Sequence, residues 1–417
     1  MRIHIIGAGD IIASFGTRYY LRNLITHLRK RGHTVLFSFF QFRTEVVPRT
    51  SADHHIAVDD FPDSVYCPTS RRAYLFWHRP VFRLYERILL LRYFVRILRA
   101  VRKGDRLLFH GCLGALHFTW SGKTAEPCKG WIKLGLLEEM HTKDVRFHFR
   151  KWIEKLNFHA FGLRIVVSRQ LGDFLSKEYG WSASGTFVIP CLVDRALLSP
   201  SHDRTTARKT LGFEDRIVFL YLGIAAPWQC PEETVAFFRQ IRIRFPSAFL
   251  WILTPDKEYF SRLVDDLPKE HCRIEFRPHD TLADRIHAAD FGFLLRRKDL
   301  INHVASPVKF PEYLASGLPV IIGPEVGDYT ELVREKGLGV IVDPDAPEKW
   351  NHAIDQIITL MNESAFLHQR CREVSVKLSW EFFSEKIKQK MIDLDTGRPH
   401  FRIHRSENRR QPAGSSS

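Results

Sequence analysis

The sequence predicts an α/β protein made of two doubly wound domains that face each other across a cleft. Short apolar runs typical of strands alternate with longer segments of helical periodicity. This alternation occurs twice, before and after a polar stretch at residues 199–208. The length agrees, because 417 residues with 45% apolar content are enough for two domains of about 200 residues with separate cores.

The first run begins with an apolar strand at residues 3–7, and a helix follows at residues 17–32. Strands are expected next at residues 34–40, 107–110 and 165–168, with helices between them. Because each strand is followed by a helical segment, the strands are expected to be parallel.

The second run opens with a strand at residues 216–223, after the polar stretch, which we interpret as part of the linker. Its further strands are expected at residues 249–253, 273–276, 291–295, 320–322 and 340–342. We therefore expect an N-terminal acceptor domain at residues 1–198 and a C-terminal donor domain at residues 209–379. A helix at residues 380–395 is expected to return to the first domain, and the basic tail at residues 396–417 to be disordered.

Composition restricts the location and the partners of the protein. Seven scattered cysteines without C-x-x-C spacing argue against a disulfide framework and a zinc site. The chain start reads as a strand and no long uncharged apolar stretch occurs, so we expect a cytoplasmic protein. A net charge of +15 predicts an anionic partner, but no nucleic-acid-binding signature accompanies it, so nucleic acid is not expected.

A basic and apolar segment at residues 79–103 favours contact with an anionic membrane surface. Its leucines and isoleucines could instead cover a sheet while the arginines face water, because the arginines do not follow a single helical stripe. Both alternatives stay open for different faces of the segment. The arginines are Arg79, Arg83, Arg87, Arg92, Arg96, Arg99 and Arg102.

One segment combines charges that a nucleotide needs. Lys309 and Glu312 are three residues apart and share one face of a predicted helix that leads into an apolar strand. The start of this helix offers free N–H groups to a phosphate, and the carboxylate can accept from ribose hydroxyls. Gly317 then ends the helix. The alternative is an ordinary surface ion pair, worth a few tenths of a kcal/mol.

Several short motifs occur in a characteristic order along residues 1–395. They read GAGD at residues 7–10, SFGT at 14–17, LRKRGHTV at 28–35, VVSRQL at 166–171, VIPCLVD at 188–194, AAD at 288–290, the segment around Lys309, and SWE at 379–381. Together they resemble the retaining glycosyltransferases of family 4, which have the GT-B fold of two facing Rossmann-like domains. The resemblance implies transfer of a sugar from a nucleotide diphosphate sugar to an acceptor hydroxyl, without metal, cofactor or covalent intermediate.

The resemblance also implies roles for particular residues. Gly16 would admit the donor phosphate, and Ser306 and Lys309 would hold the diphosphate while Glu312 binds the ribose. His141 would contact the donor sugar near the reacting centre, although a lone histidine is more often structural. Glu139, two residues earlier, is a candidate contact for the acceptor.

The chain departs from the family pattern after the first strand of the second domain. Most members carry an Arg and a Lys there for the diphosphate, whereas this chain reads GIAAPWQC at residues 223–230. It resembles a subgroup with a W-Q loop, formed here by Trp228 and Gln229. Lys309, together with Arg296 or Arg297, would then neutralise the charge of the diphosphate. Trp228 would stack on the donor or lie in the core.

Other chemistries remain as alternatives. A nucleotide-sugar epimerase has the same two-domain fold, and an inactive scaffold subunit would explain the absent Arg and Lys pair. A nicotinamide-binding fingerprint is poorly matched at residues 7–13, and the D-x-D motif at residues 393–395 falls in or after the last helix. We expect a glycosyltransferase peripheral to the cytoplasmic face of the membrane. It would act on a lipid-linked or polysaccharide acceptor, as in lipopolysaccharide or exopolysaccharide synthesis.

Overall fold

A computed structural model of the chain confirms an α/β fold with two parallel sheets. It describes residues 2–8, 15–41, 65–68, 92, 95, 99, 105–110, 129–134, 145–161, 163–180, 186–198, 200 and 202–395. The predicted tail at residues 396–417 lies outside the described residues.

The first sheet has seven strands in the order β3-β2-β1-β4-β5-β6-β7, and all neighbours pair in parallel. Its strands are β1 (Arg2–Ala8), β2 (Thr34–Gln41), β3 (Val65–Pro68), β4 (Arg106–His110), β5 (Lys129–Lys133), β6 (Leu163–Val166) and β7 (Thr186–Val188). The helices described beside it are α1 (Phe15–Lys30), α2 (Val145–Ala160) and α3 (Arg169–Tyr179).

The second sheet has six parallel strands in the order β10-β9-β8-β11-β12-β13. Its strands are β8 (Ile217–Leu222), β9 (Ala248–Leu253), β10 (Cys272–Glu275), β11 (Phe291–Leu294), β12 (Val320–Ile322) and β13 (Gly339–Ile341). The helices of this half are α4 (Arg204–Leu211), α5 (Pro231–Arg244), α6 (Lys257–Leu263), α7 (Ala283–Ala288), α8 (Leu300–His303), α9 (Lys309–Ala315), α10 (Tyr329–Lys336), α11 (Trp350–Asn362) and α12 (Ser364–Val376).

Burial explains why the central strands read as continuous apolar runs. Every residue of β9 and β11 is buried, because helices cover both faces of the sheet. Two apolar cores result, one on each face of the second sheet. Phe219 and Ile321 project into one core, and Leu220 and Val320 into the other. The alternation of neighbouring residues follows the two-residue period of a strand.

Two sequence-based expectations need correction. The polar stretch at residues 199–208 is not linker throughout, because α4 begins at Arg204. Asp203 caps this helix by accepting a hydrogen bond from the Thr206 N–H, and Arg204 and Arg208 both pair with Asp290 of the second half. The strands β3, β5 and β7 were not predicted, since each is short and carries polar or aromatic residues in place of a clear apolar run.

The chain crosses between the two halves twice, and the crossings bond to each other. The Val193 N–H donates to the Leu378 carbonyl at 3.0 Å, and the Trp380 N–H donates to the Val193 carbonyl at 3.0 Å. Helix α13 (Trp380–Asp395) then packs on α1, where the buried Trp380 ring stacks on His27 with 5.5 Å between ring centres. We call the paired segments 191–194 and 378–380 the crossing seam.

No helix among the described residues is long and apolar enough to cross a membrane.

Candidate functional site

The carboxyl edges of the two parallel sheets face each other, and direct contacts join them. The Ser168 hydroxyl, just after β6, donates to the Val304 carbonyl at 2.6 Å. The Val304 side chain packs into the core of the first half. At the other end of the edge, the Tyr19 ring of α1 meets the His279 ring edge-on, with 5.2 Å between centres. Ligands of open α/β sheets bind along such carboxyl edges.

Helix α9 places the two charged residues that the sequence singles out. Lys309 is its first residue, and Glu312 follows one turn later with only 2% of its surface exposed. Phe310, Tyr313 and Leu314 fix the helix against the sheet because they are completely buried. The helix has only seven residues, so its dipole is small, and the two side chains dominate the local electrostatics.

Lys309 reaches the loop that follows β8. Its ammonium donates to the Gln229 side-chain oxygen and lies 5.6 Å from the centre of the Tyr221 ring. Burial and the nearby positive charge of Arg296 hold the pKa of Lys309 well below its usual range. A lysine in this condition binds a proton more tightly once an anion arrives.

Gly223 makes this approach possible. It has φ +146°, and a Cβ atom built there would lie 2.3 Å from the Lys309 ammonium and 2.4 Å from the Gln229 oxygen. Only glycine leaves that space free, and only glycine adopts such a φ without strain. The sequence analysis did not assign Gly223 a role, although a glycine directly after a strand is a recognisable signal for close backbone approach.

The structure distinguishes the two neighbouring arginines. Arg297 pairs with Glu233 and with Asp345, so carboxylates already neutralise its charge. Arg296 is 8% exposed and donates to the Trp228 carbonyl at 3.0 Å. Its burial lowers the pKa of Arg296 to about 10. No ion pair to a carboxylate is found for Arg296 or Lys309 within the described part of the chain.

Glu312 has a partner that sequence reasoning missed. The Nε2 atom of His279 and the Oε1 atom of Glu312 are 2.7 Å apart. His279 lies between β10 and α7, in the loop at residues 277–282. The contact orients one carboxylate oxygen of Glu312. No local spacing could reveal this pair, because 33 residues separate the partners.

The hydroxyl of Ser306 is occupied by the segment that links the two halves. It accepts from the Cys191 N–H at 2.9 Å and lies 2.8 Å from the Tyr329 hydroxyl, which donates to the Cys191 carbonyl at 3.2 Å. These bonds close a ring in which the Ser306 proton points to Tyr329. In this arrangement Ser306 has no proton left to donate to a phosphate.

The remaining predicted residues fall in different places. Trp228 lies on a single helical turn at Pro227–Gln229 and is 42% exposed, so it is on the surface and not in the core. Gly16 lies in the first turn of α1. His141 and Glu139 are outside the described residues.

One cluster of potential metal ligands occurs at the crossing seam. Ligand atoms of His27, Asp194 and Glu381 lie within 4.8 Å of one another. The Lys30 ammonium lies 3.9 Å from Asp194 and already supplies a positive charge there. The sequence analysis predicts no metal site, and this cluster is apart from the helix that carries Lys309 and Glu312.

Comparison with known proteins agrees with this architecture. The family model described as glycosyl transferases group 1 matches residues 203–373, which contain Lys309, Glu312 and Arg296. A D-inositol 3-phosphate glycosyltransferase of Rhodococcus opacus is 26% identical over 230 residues, covering 52% of this chain and 50% of that protein. The alignment therefore spans about half the length of the curated relative.

Solved structures with the same fold cover nearly the whole chain. The sucrose-phosphate synthase of Thermosynechococcus elongatus has a TM-score of 0.66 at 20% identity, over 95% of this chain and 100% of that chain. HepE of Anabaena in complex with UDP has a TM-score of 0.68 at 12% identity, over 94% and 100%. WaaG, a glycosyltransferase involved in lipopolysaccharide biosynthesis, has a TM-score of 0.63 at 12% identity, over 93% and 99%.

The matched family and the curated relative are both described as glycosyltransferases. At these identities the solved structures establish the fold, whereas the family match concerns the second half of the chain. Residues 203–373 therefore match the family model of glycosyl transferases group 1, in a chain with the GT-B fold.

Proposed function

We propose that the protein is a retaining, metal-independent glycosyltransferase that uses a nucleotide diphosphate sugar. One observation carries the proposal: Lys309 and Arg296 bring two cations without carboxylate partners, among the described residues, to the edge where Gly223 lets the Lys309 ammonium approach the backbone after β8. Glu312 lies one helical turn from Lys309 and offers a buried carboxylate. Cations and a carboxylate in this order match a diphosphate followed by a ribose.

The same groups suit the chemistry of transfer. The bond to the donor sugar breaks toward the diphosphate, so negative charge develops on the leaving oxygen. Lys309 and Arg296 would stabilise that charge with little reorganisation, because the protein already holds them in place. Glu312, oriented by His279, would hold the ribose and so fix the position of the diphosphate.

Arg296 also bears on the alternative of an inactive scaffold. The absent Arg and Lys after β8 are the main argument for that alternative. Arg296 donates to the backbone of the W-Q loop itself, at Trp228, and so brings a cation to the loop from which those residues are missing. We infer that Arg296 and Lys309 together replace the absent pair.

The proposed acceptor is a lipid-linked or polysaccharide glycan, used at the cytoplasmic face of the membrane. Support comes from the described positions of the basic segment at residues 79–103. Arg92, Val95 and Arg99 are helical and exposed, and their spacing places them on one face. The remaining residues of that segment are outside the described part of the chain. A mixed basic and apolar helix face favours binding to an anionic bilayer surface.

Thermal unfolding with UDP, GDP, CMP and dTDP, with and without EDTA, tests the proposal. A nucleotide at 100-fold its Kd should stabilise the protein by about 2.7 kcal/mol. We expect one nucleoside diphosphate to raise the midpoint strongly and to act equally in EDTA. Stabilisation that disappears in EDTA would contradict metal-independent binding.

A product assay separates transfer from epimerisation. A transferase releases free nucleoside diphosphate in proportion to a new glycosidic bond, whereas an epimerase converts one nucleotide sugar into another. We expect nucleotide release that depends on added acceptor, with the anomeric configuration of the donor retained in the product. An isomerised nucleotide sugar formed without acceptor would instead establish the epimerase.

A further inference from the structure

His110 occupies a distinctive position in the first sheet. It is the last residue of β4 and lies opposite Gly7 of β1 in the strand register. From β1 the chain proceeds outward to β2 and β3 and then returns to form β4 on the other side of β1. The carboxyl ends of β1 and β4 therefore flank the point where the direction of winding reverses. Open α/β sheets bind their ligands in the crevice at this point.

His110 is partly buried there, and the polar atoms of its ring have no hydrogen-bond partner. Both ring nitrogens are shielded from solvent, and neither has a hydrogen-bond partner in the described structure. Five of the other described histidines differ, because one of their ring nitrogens contacts a carbonyl or carboxylate oxygen: His27, His271, His279, His287 and His368. A buried polar group without a partner destabilises the folded state, so a ligand that satisfies it would account for its retention.

The charge state of His110 indicates the kind of ligand. Burial, together with the positive charge of Lys133, lowers the pKa of His110 to about 4, so the ring is neutral near pH 7. A neutral imidazole offers one donor and one acceptor, as a hydroxyl group does. The nearby Lys133 ammonium is already paired with Glu154 at 2.7 Å. These groups therefore suit an uncharged hydroxyl better than a phosphate.

We propose that His110 binds a hydroxyl group of the sugar or polyol acceptor at the switch point of the first sheet. The proposal rests on the proposed function, because it assigns an acceptor contact within that activity. It is separate from the nucleotide contacts of Lys309, Arg296 and Glu312, which belong to the other sheet.

The test uses the full chain saturated with UDP and two neutral probes, D-glucose and myo-inositol. Histidine ring resonances are recorded by NMR, and the His110 signals are assigned by their absence in His110→Phe. We expect at least one probe to shift the His110 ring resonances. The apparent Kd of that probe, measured by thermal shift, should rise by about tenfold in His110→Phe, as expected for a lost hydrogen bond.

His352→Phe, at an exposed histidine of α11, is the matched control and should leave probe binding unchanged. The thermal shift caused by UDP alone should be the same in the wild type and in His110→Phe. The absence of a shift in the wild type with UDP and with every other nucleoside diphosphate would contradict the proposed function and not the acceptor contact. His110 resonances that respond to neither probe, or unchanged probe binding in His110→Phe, would overturn the inference. Folding of His110→Phe is verified by its UDP response.

Discussion

Lys309 and Glu312 are the residues on which the proposed donor site depends most. Each is expected to make a charge-assisted contact worth about 1.5–3 kcal/mol, so Lys309→Ala and Glu312→Ala should each lose at least about tenfold in turnover. Steady-state transfer from a nucleotide sugar measures the effect. The controls are Lys298→Ala and Glu331→Ala, because both side chains are more than half exposed and pair only at the surface. Full activity in either site variant would contradict a role of α9 in donor binding and would favour the alternative of an ordinary surface helix.

The low pKa of Lys309 predicts proton uptake when the nucleotide binds. Burial disfavours the charged amine in the free protein, so this residue costs stability below the usual lysine pKa of about 10.4 and costs none above it. A bound diphosphate favours the charged form, so binding in mildly alkaline solution should take up a proton. Calorimetry with UDP in buffers of different ionisation enthalpy measures the uptake. Lys309→Met should abolish it, and an unchanged uptake in that variant would assign the proton to another group.

Gly223 gives a steric prediction. In Gly223→Ala the new methyl group would meet the Lys309 ammonium and the Gln229 oxygen, so nucleotide affinity should fall by at least about tenfold. Gly212→Ala is the matched control, since Gly212 also has a positive φ, +73°, but nothing lies within 4 Å of its added Cβ. The control should lose about 1 kcal/mol of stability and keep its nucleotide affinity. Equal affinities in the two variants would contradict the close approach.

At the scale of elements, the basic segment at residues 79–103 predicts binding to anionic liposomes. Each basic residue near such a surface contributes about 1 kcal/mol, screened over about 8–10 Å, so binding should weaken steeply with salt. Replacing Arg83, Arg87 and Arg92 with Gln should release the protein in a sedimentation assay. The matched control replaces Arg244, Arg262 and Arg334, which lie on exposed helix positions of the donor half. Unchanged sedimentation of the first variant would show that the segment covers the sheet.

The sequence predicts some strands and helices better than others. The strands β1, β2, β8, β9 and β12 are found within a residue or two of their predicted limits, because helices bury both faces and leave an apolar run. The edge strands β3 and β7 were missed, since an edge strand needs only a few apolar residues. Helix α4 was missed because it is mostly polar and is held by Asp203 and Asp290, which a periodicity argument does not detect.

The candidate site shows the same limit. Lys309 and Glu312 could be predicted because helical spacing alone places them on one face. The contacts of Glu312 with His279 and of Arg296 with the W-Q loop depend on the order of strands in the sheet, which brings distant loops to one edge. A single sequence does not contain that order explicitly. The role of Ser306 could not be foreseen either, because its partner Cys191 lies in the other half of the chain.

For the whole molecule, buried histidines predict loss of stability in acid. Burial lowers the pKa of His4 and of His368 from 6.5 to about 4. The folded protein therefore binds these protons less tightly than the unfolded chain, so their stability contribution is full above pH 6.5 and is lost toward pH 4. The unfolding midpoint should fall across this range. The variant His368→Asn keeps a donor for the Gly317 carbonyl, and its unfolding midpoint should fall less steeply than that of the wild type. A midpoint that stays constant across the range would contradict this account.

The crossing seam also limits how the two halves can move. Both covalent connections pass through one pair of hydrogen-bonded segments, so the two chain crossings lie along one line, which suits a hinge. Motion about this line displaces atoms in proportion to their distance from it. Dyes on Arg22 and Arg277, near the Tyr19–His279 contact, should therefore report a nucleotide-dependent change in energy transfer, whereas dyes on Arg195 and Lys377, beside the seam, should not. Motion about a shared axis of this kind would let the reacting groups return to the same alignment in every cycle.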